Sequence, residues 1–381
     1  MVVEWVLAAC LGLFGWHYAG YPLVLSGLAA AFGESSSGGF PDDDLPGVTV
    51  VIIAHNEADV IETRIENVLA SDYPTELLEV VVASDASTDA TVELARATSD
   101  RVVAFDNTPH NKSETRNMAV ERASNDIVLF TDADTRYRAD CVRRIVDRYA
   151  DPDVGTAGGT LVTDSFEEGS IGEGMGIYWK WEQYLRRIQG ELGVLVKMSG
   201  ANMSMRRDVF EPVPDVADID QVAGFAAITN GARSVLAPDA VAREEFPTTL
   251  AGELSTRKRI TIRSLTALWL FRGVFNPVRR PLVALNTFSY WLLRYLIPVL
   301  LVGTTLATAV LALGSTLALA FLLAQAAFYL LALAGYVLER RGKGLGLAGV
   351  PFSYCWANLG ILLGLLRFVR GERVYAYSAV E

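Results

Sequence analysis

Four apolar runs constrain this chain more than any other feature. "VTVVIIA" (48–54), "LEVVVAS" (78–84), "RVVAF" (101–105) and "DIVLFTD" (126–132) have strand length and lack polar alternation, the pattern of strands buried on both faces. Between them, residues 57–70, 88–98 and 113–123 show helical spacing, as in Ile61, Ile65, Val68 and Leu69. This alternation predicts an α/β fold on a parallel sheet, which binds ligands beyond the carboxyl ends of its strands.

The polar residues gather at those ends. They read "HNE" (55–57), "SDAST" (84–88) and "DAD" (132–134), so three strands deliver acids or amides to one edge. Each has an ordinary explanation alone: Asn56, Ser87 or Thr88 can cap a following helix, and Asp is common in turns. The joint pattern is harder to explain that way. Two carboxylates one residue apart, Asp132 and Asp134, cannot end a buried strand without compensation, because desolvating an unpaired carboxylate costs several kcal/mol or more. A cationic partner is expected there.

Charge is divided sharply along the chain. Residues 34–250 hold 39 of the 44 acidic side chains against 19 Lys and Arg, a formal charge of −20, whereas residues 251–381 hold 4 acids against 14 bases, a charge of +10. With Glu4 the total is −11. An acidic middle is therefore joined to a basic, apolar tail, and the middle repels nucleic acid. Lysine occurs only at 112, 180, 197, 258 and 343, a balance that resembles proteins of salt-loving archaea. The three cysteines (10, 141, 355) and three histidines (17, 55, 110) have neither disulfide nor metal-ligand spacing.

Residues 5–32 contain no charged side chain and exceed the roughly 20 residues that cross a bilayer. Without a basic leader and too long for a cleaved signal, they predict an anchor over 1–33, with Pro22 a tolerated kink. A Ser, Gly, Pro and Asp linker (34–47) precedes a soluble domain, 48–256. Residues 257–295 suit basic amphipathic helices in the membrane interface, with Trp269, Phe271 and Trp291 as anchors. A transmembrane region, 296–381, follows, with spans at 296–313 and 316–338 and a third apolar stretch, spanning or interfacial, at 350–368. Its membrane partners are lipids. Three carboxyl-terminal crossings after one amino-terminal crossing place "RFVRGER" opposite the soluble domain, against the positive-inside tendency.

The ordered set "VIIAHNEADVIETRIENVLASDYP", "VVVASDASTDAT", "NKSETRN", "VLFTDADT", "SGANMSMRRDVF" and "APDAVAREEFP", covering about residues 48–265, resembles the family 2 glycosyltransferases, membrane-anchored inverting enzymes of the GT-A fold, whose sheet is mixed, mostly parallel. The resemblance implies a nucleotide-sugar donor, UDP-linked by preference, and a lipid-linked or glycan acceptor at the cell membrane, with the catalytic domain cytoplasmic. It implies that Ala54, His55, Asn56 and Glu57 border the nucleoside, that Asp85 accepts a hydrogen bond from the base, and that Lys112 lies near the diphosphate. It further implies Mg2+ or Mn2+ at Asp134, with Asp132 as a second ligand nearer the ribose or sugar. The cation compensates the paired carboxylates.

In this family the general base is the Asp of a Glu-Asp pair about eleven residues before a Gly turn, which fits Asp220 and Gly231; Asp218 is the substitute, since Ile219 replaces the acid. Processive synthases carry Gln-x-x-Arg-Trp where this chain has "TRKRI" (256–260). Arg259 retains the arginine and its diphosphate contact, while the missing Gln and Trp favour transfer of one sugar over processive synthesis. A nucleotidyltransferase needs a Gly-rich loop after its first strand, which "AHNEAD" does not provide. A non-catalytic scaffold has no use for Asp85, the Asp-x-Asp and Asp220 together.

Overall fold

The computed structural model describes residues 1–34, 38–108, 110–162, 170–244 and 250–374, with the side chains of 170–179 left aside. Part of the linker (35–37) and Glu245, Phe246 and Pro247 of the last motif lie outside the described residues. One sheet of eight strands organises the chain: β1 (Val48–Ala54), β2 (Leu78–Asp85), β3 (Val102–Asn107), β4 (Ile127–Asp132), β5 (Arg136–Tyr137), β6 (Val154–Val162), β7 (Met203–Arg206) and β8 (Arg233–Arg243). Their order is β3-β2-β1-β4-β7-β6-β8-β5. The β3-β2-β1-β4 half is parallel, as the buried runs required, and β7 enters antiparallel to both β4 and β6. Residues of β1 are buried throughout, so its uninterrupted apolar run fills both faces.

Register places the site. Ile53 pairs with Asp132, Ala54 with Ser84, and Asp85 with Asn107, so the carboxyl ends of β4, β1, β2 and β3 finish level. Behind β4, Arg64 of the Ile61–Leu69 helix is wholly buried; it donates to Thr131 Oγ1 (2.7 Å) and to Asn67 Oδ1, with its guanidinium 4.2 Å from the centre of the Tyr137 ring. Asn67 in turn receives the Tyr137 N–H and donates to the Tyr137 carbonyl. A buried cation thus supports the strand that ends in acids.

Among the described residues, four helices are long and apolar enough to cross a membrane: Val2–Phe32, Pro281–Leu311, Thr316–Glu339 and Gly346–Val369. The second is one continuous helix from Pro281, so it runs across the expected division at residue 295. Trp291, expected as an interfacial anchor, is 1% exposed, whereas Trp269 is 62% exposed. Two of the polar residues that disguised this helix, Asn286 and Ser289, are paired. Asn286 accepts from Tyr21 Oη (2.8 Å) and donates to the Val194 carbonyl (2.7 Å), Ser289 Oγ accepts from Trp16 Nε1 (2.9 Å), and His17 Nδ1 donates to the Ser289 carbonyl (2.9 Å). Tyr21, Tyr290, Trp291 and Tyr295 belong to the same buried cluster as Val51, Phe130 and Met203. Residues of these apolar helices and of the sheet therefore belong to one buried cluster.

Candidate active site

The loops after β1 and β2 interlock. Asn56, in the left-handed region (φ 57°), accepts from the Thr88 N–H (2.8 Å), and its own N–H donates to Ser87 Oγ (3.0 Å). The Glu57 and Ala58 amides donate to Thr91 Oγ1 (2.9 Å) and Asp89 Oδ2 (3.1 Å). Asn56 and Thr88 thus fasten one loop to the other instead of capping their own helices. Ala86 also holds a positive φ of 59°, which costs an L-residue roughly 1–2 kcal/mol and is sustained by these bonds.

Asp85 is fully buried at the end of β2. Its Oδ1 accepts from the Asn111 N–H (2.6 Å) and Thr115 Oγ1 (2.8 Å). Oδ2 lies 3.2 Å from His110 Nδ1 and has no other polar partner, so it is the atom left for a ligand donor. His55 and His110 both direct Nδ1 to the Asp85 carbonyl (2.7 and 2.9 Å), which fixes Nδ1 as the protonated nitrogen of each ring. Their rings lie 4.5 Å apart. Ala54 is buried just before this wall and His55 is half-buried.

Lys112 opens the Lys112–Arg122 helix, which Asn111 caps by accepting the Glu114 N–H (3.1 Å). Its Nζ reaches Asp132 Oδ1 at 3.1 Å. Burial opposes the charge on Asp132, but Lys112, Arg116 and Arg64 outweigh it and hold the carboxyl below its ordinary range. Asp134 behaves oppositely: desolvation and then the Asp132 charge raise it. Glu57 is raised by burial and then by Asp134 and Asp132. Glu244, just beyond β8, is pushed up to about 8 by burial and then by Asp132, Asp134 and Asp220. These acids share one field. Glu244 was within the quoted "APDAVAREEFP" motif but was assigned no role; an acid directly after a strand was the available signal.

Such mutual repulsion fits a divalent cation with hard oxygen ligands. Among the described residues, no three His, Cys, Asp or Glu side chains are grouped closely enough to cage a metal. Asp134, with Asp132, would be the carboxylates to hold such a cation, whose chemistry would be to neutralise their charge and that of a phosphate ligand.

Asp220 lies in the first turn of the Ile219–Thr229 helix, whose end is turned by Gly231 at φ 86°. Its Oδ1 accepts the Gly200 N–H (3.1 Å), and its carbonyl accepts the Met198 N–H (2.8 Å). A Cβ at Gly200 would sit 2.7 Å from Asp220 Oδ1, which explains the glycine in "SGAN". Burial and then Asp218 raise the Asp220 carboxyl, against the pull of Lys197 and Arg116. Asp218 is instead committed to Arg263, whose Nε donates to its Oδ1 at 2.6 Å. Arg263 is 1% exposed and also donates to the carbonyls of Asp215 (2.9 Å), Ala217 and Val374 (3.1 Å). Arg259, expected at the diphosphate, is half-buried one turn earlier on the same helix, and Arg263 holds the loop before Asp220.

Residues 49–213 match the model of a family described as Glycosyl transferase family 2. The poly-β-1,6-N-acetyl-D-glucosamine synthase of Staphylococcus aureus is 31% identical over 121 residues, 31% of this chain and 29% of that protein. The succinoglycan biosynthesis protein ExoO of Rhizobium meliloti is 35% identical over 132 residues, 34% of this chain and 36% of that protein. The chain thus spans about a third of the length of the curated relatives it matches. Among solved structures, the mannosyltransferase PcManGT from Pyrobaculum calidifontis, in complex with GDP-Man and Mn2+, superposes with a TM-score of 0.72 at 21% identity, covering 96% of this chain and 99% of that one.

Proposed function

Since the chain carries a glycosyltransferase family 2 domain on a GT-A fold, we propose that it is an inverting, metal-dependent hexosyltransferase moving one sugar from a nucleoside-diphosphate donor to a lipid-linked or glycan acceptor at the membrane. The observation that carries this reading is the level strand edge, where Asp85, Lys112, Asp132, Asp134 and Asp220 converge from four chain segments. Asp85 Oδ2 suits the imide N–H of uracil, the preferred base, and equally N1–H of guanine. Asp134, with Asp132, would hold Mg2+ or Mn2+, whose chemistry is to neutralise charge developing on the departing diphosphate. Lys112 adds a fixed positive charge beside it. Asp220, raised toward neutrality and kept oriented by Gly200, takes the acceptor hydroxyl proton. The missing Gln and Trp of the processive motif support single transfer; the likeness to a polysaccharide synthase supports polymer formation, and product length decides between them.

The same reading gives a topology of three crossings and one interfacial helix. The Gly349–Val369 helix runs beside the charged Leu250–Leu270 helix, with Gly360 against Arg257 and Gly364 against Thr261. Beyond it, Val374 returns to Arg263 under the catalytic loop. The carboxyl-terminal half of this helix and the segment beyond it thus adjoin the catalytic side. On this reading Arg340, Arg341, Lys343, Arg367 and Arg370 lie with the catalytic domain in the cytoplasm and the uncharged 312–315 turn lies outside, as the positive-inside rule asks.

The test is a panel of UDP- and GDP-sugars with the purified full chain in detergent. Asp134→Asn is expected to abolish metal-dependent donor binding and transfer. Asp220→Asn is expected to bind donor normally and lose about 10²- to 10⁴-fold in transfer to a hydroxyl. Full transfer by Asp134→Asn in the presence of EDTA overturns the metal reading.

A further inference from the structure

The loop that delivers Asp220 to the first turn of its helix is held from two sides. At its start the Val213 N–H donates to Asn117 Oδ1 (2.9 Å) and Asn117 Nδ2 donates to the Val213 carbonyl (3.3 Å), which fastens it to the Lys112–Arg122 helix. At its end the hold is Arg263, from the Leu250–Leu270 helix. Four of the five N–H groups of this buried guanidinium have acceptors: Asp218 Oδ1 (2.6 Å) and the carbonyls of Asp215 (2.9 Å), Ala217 and Val374 (3.1 Å). Three of these acceptors belong to the loop before Asp220. The fourth comes from beyond the last apolar helix.

Asp218 is unusual for its place. It is the N-cap of the Ile219–Thr229 helix, where an aspartate ordinarily accepts a helix amide, yet among the described residues its side chain caps none. Its carboxylate is committed instead to a charge-assisted bond from another helix. The Val374 carbonyl arrives by an equally specific route. Gly371, at φ 89°, donates to the Phe368 carbonyl (3.0 Å), and the Glu372 N–H donates to the Arg367 carbonyl (3.1 Å), the paired bonds of a Schellman stop. A left-handed residue is needed there, and glycine adopts that conformation without strain. The turn ends the Gly349–Val369 helix and sends the chain back, so that Val374 is buried against Ile262, the neighbour of Arg263.

We propose that Arg263 and the Gly371–Val374 turn form a positioning element for the base, fixing the 215–218 loop and with it the place at which the Asp220 carboxyl meets the acceptor. This rests on the glycosyltransferase reading, and it makes Asp218 the anchor of the loop instead of a second base. It also ties the base to the helix laid in the interface above, since Gly360 and Gly364 of that helix press against Arg257 and Thr261, on the helix that carries Arg263.

The experiment follows the full chain in detergent with the UDP- and GDP-sugar panel, water serving as acceptor and released nucleoside diphosphate as the signal. Arg263→Lys keeps a cation for Asp218 but loses the fork that spans the carbonyls; its kcat is expected to fall about tenfold to a hundredfold with donor affinity unchanged. Gly371→Val is expected to lower kcat about threefold to tenfold, the worth of one hydrogen bond, and Gly371→Asn, which tolerates the left-handed turn, to keep the wild-type rate. Asp218→Asn supplies a readout that packing alone would not move. The Asp220 carboxyl is raised by burial and then by Asp218, with Lys197 and Arg116 opposing, Asp132 adding to the rise and Glu244 in the same field. Removing the Asp218 charge should therefore extend turnover to lower pH. If Arg263→Lys does not bind nucleotide, the two Gly371 variants decide. Wild-type kcat in Gly371→Val, a Gly371→Asn rate as low as that of Gly371→Val, or a loss of donor affinity in place of kcat overturns the positioning element. Turnover abolished by Asp218→Asn at every pH overturns the anchor role and makes Asp218 the base. Failure of the wild-type chain to turn over any sugar of the panel overturns the enzyme reading instead.

Discussion

Replacing Glu244 by glutamine tests the acidic edge as an electrostatic unit. Burial, then Asp132, Asp134 and Asp220, raise this carboxyl from 4.5 to about 8. The folded chain therefore keeps a proton that the unfolded chain releases above the lower value. The stability tied to that proton is fully present below about pH 4.5 and is lost as pH rises through about 8. Converted at about 1.4 kcal/mol per tenfold change, the gap sets a ceiling of about 5 kcal/mol. Solvent screening at a half-buried side chain and relaxation of its neighbours reduce the expected loss to about 1–2 kcal/mol. The assay is thermal unfolding of the detergent-solubilised chain between about pH 5 and about pH 9, with EDTA or with Mn2+. In EDTA the wild type should lose stability across this window, and Glu244→Gln should lose most of that slope, with Glu57 and Asp134 leaving a remainder. Mn2+ should flatten the wild-type slope by stabilising the ionised acids. A variant as pH-dependent as the wild type in EDTA would refute the shared field.

Two further outcomes follow from single contacts. Asp85→Asn can keep Oδ1 for Asn111 and Thr115 while turning the ligand-facing oxygen into a donor, so it should weaken nucleotide binding by about 1–3 kcal/mol with little change in melting temperature, measured by titration and unfolding in parallel; unchanged affinity would make Asp85 a loop scaffold only. In a cysteine-free background, single cysteines at Lys343 and Arg370 should be labelled by impermeant maleimide only from the side that carries the catalytic domain, and one at Gly314 only from the other; labelling of Arg370→Cys from the Gly314 side would make Gly349–Val369 a true crossing.

What could be read in advance depended on how locally each property is encoded. The parallel half of the sheet was legible because its strands are buried on both faces and appear as unbroken apolar runs. Strands β6, β7 and β8 were not assigned: β6 is glycine-rich, "VGTAGGTLV", and β7 alternates polar residues in "MSMR". The site acids lay at strand ends, where position itself carries meaning. Their supports did not. Arg64, Arg116 and Arg263 are ordinary helical arginines in sequence, and only the fold places Arg64 behind Thr131 or Arg263 under Asp218. The helix from Pro281 was missed for a related reason. Asn286, Thr287, Ser289 and Arg294 resemble an interfacial surface until partners from the other end of the chain, or from the segment at Val194, take up Asn286 and Ser289.

The electrostatics of the site follow from the same nonlocality. Glu57, Asp134 and Glu244 are raised first by burial and then by the neighbouring acids. Lys112, Arg116 and Arg64, brought from two helices, hold Asp132 alone below its ordinary range. A donor diphosphate by itself would be repelled from this edge, whereas its complex with a divalent cation would not, so the cation would admit the donor as well as neutralise the charge that develops when it departs.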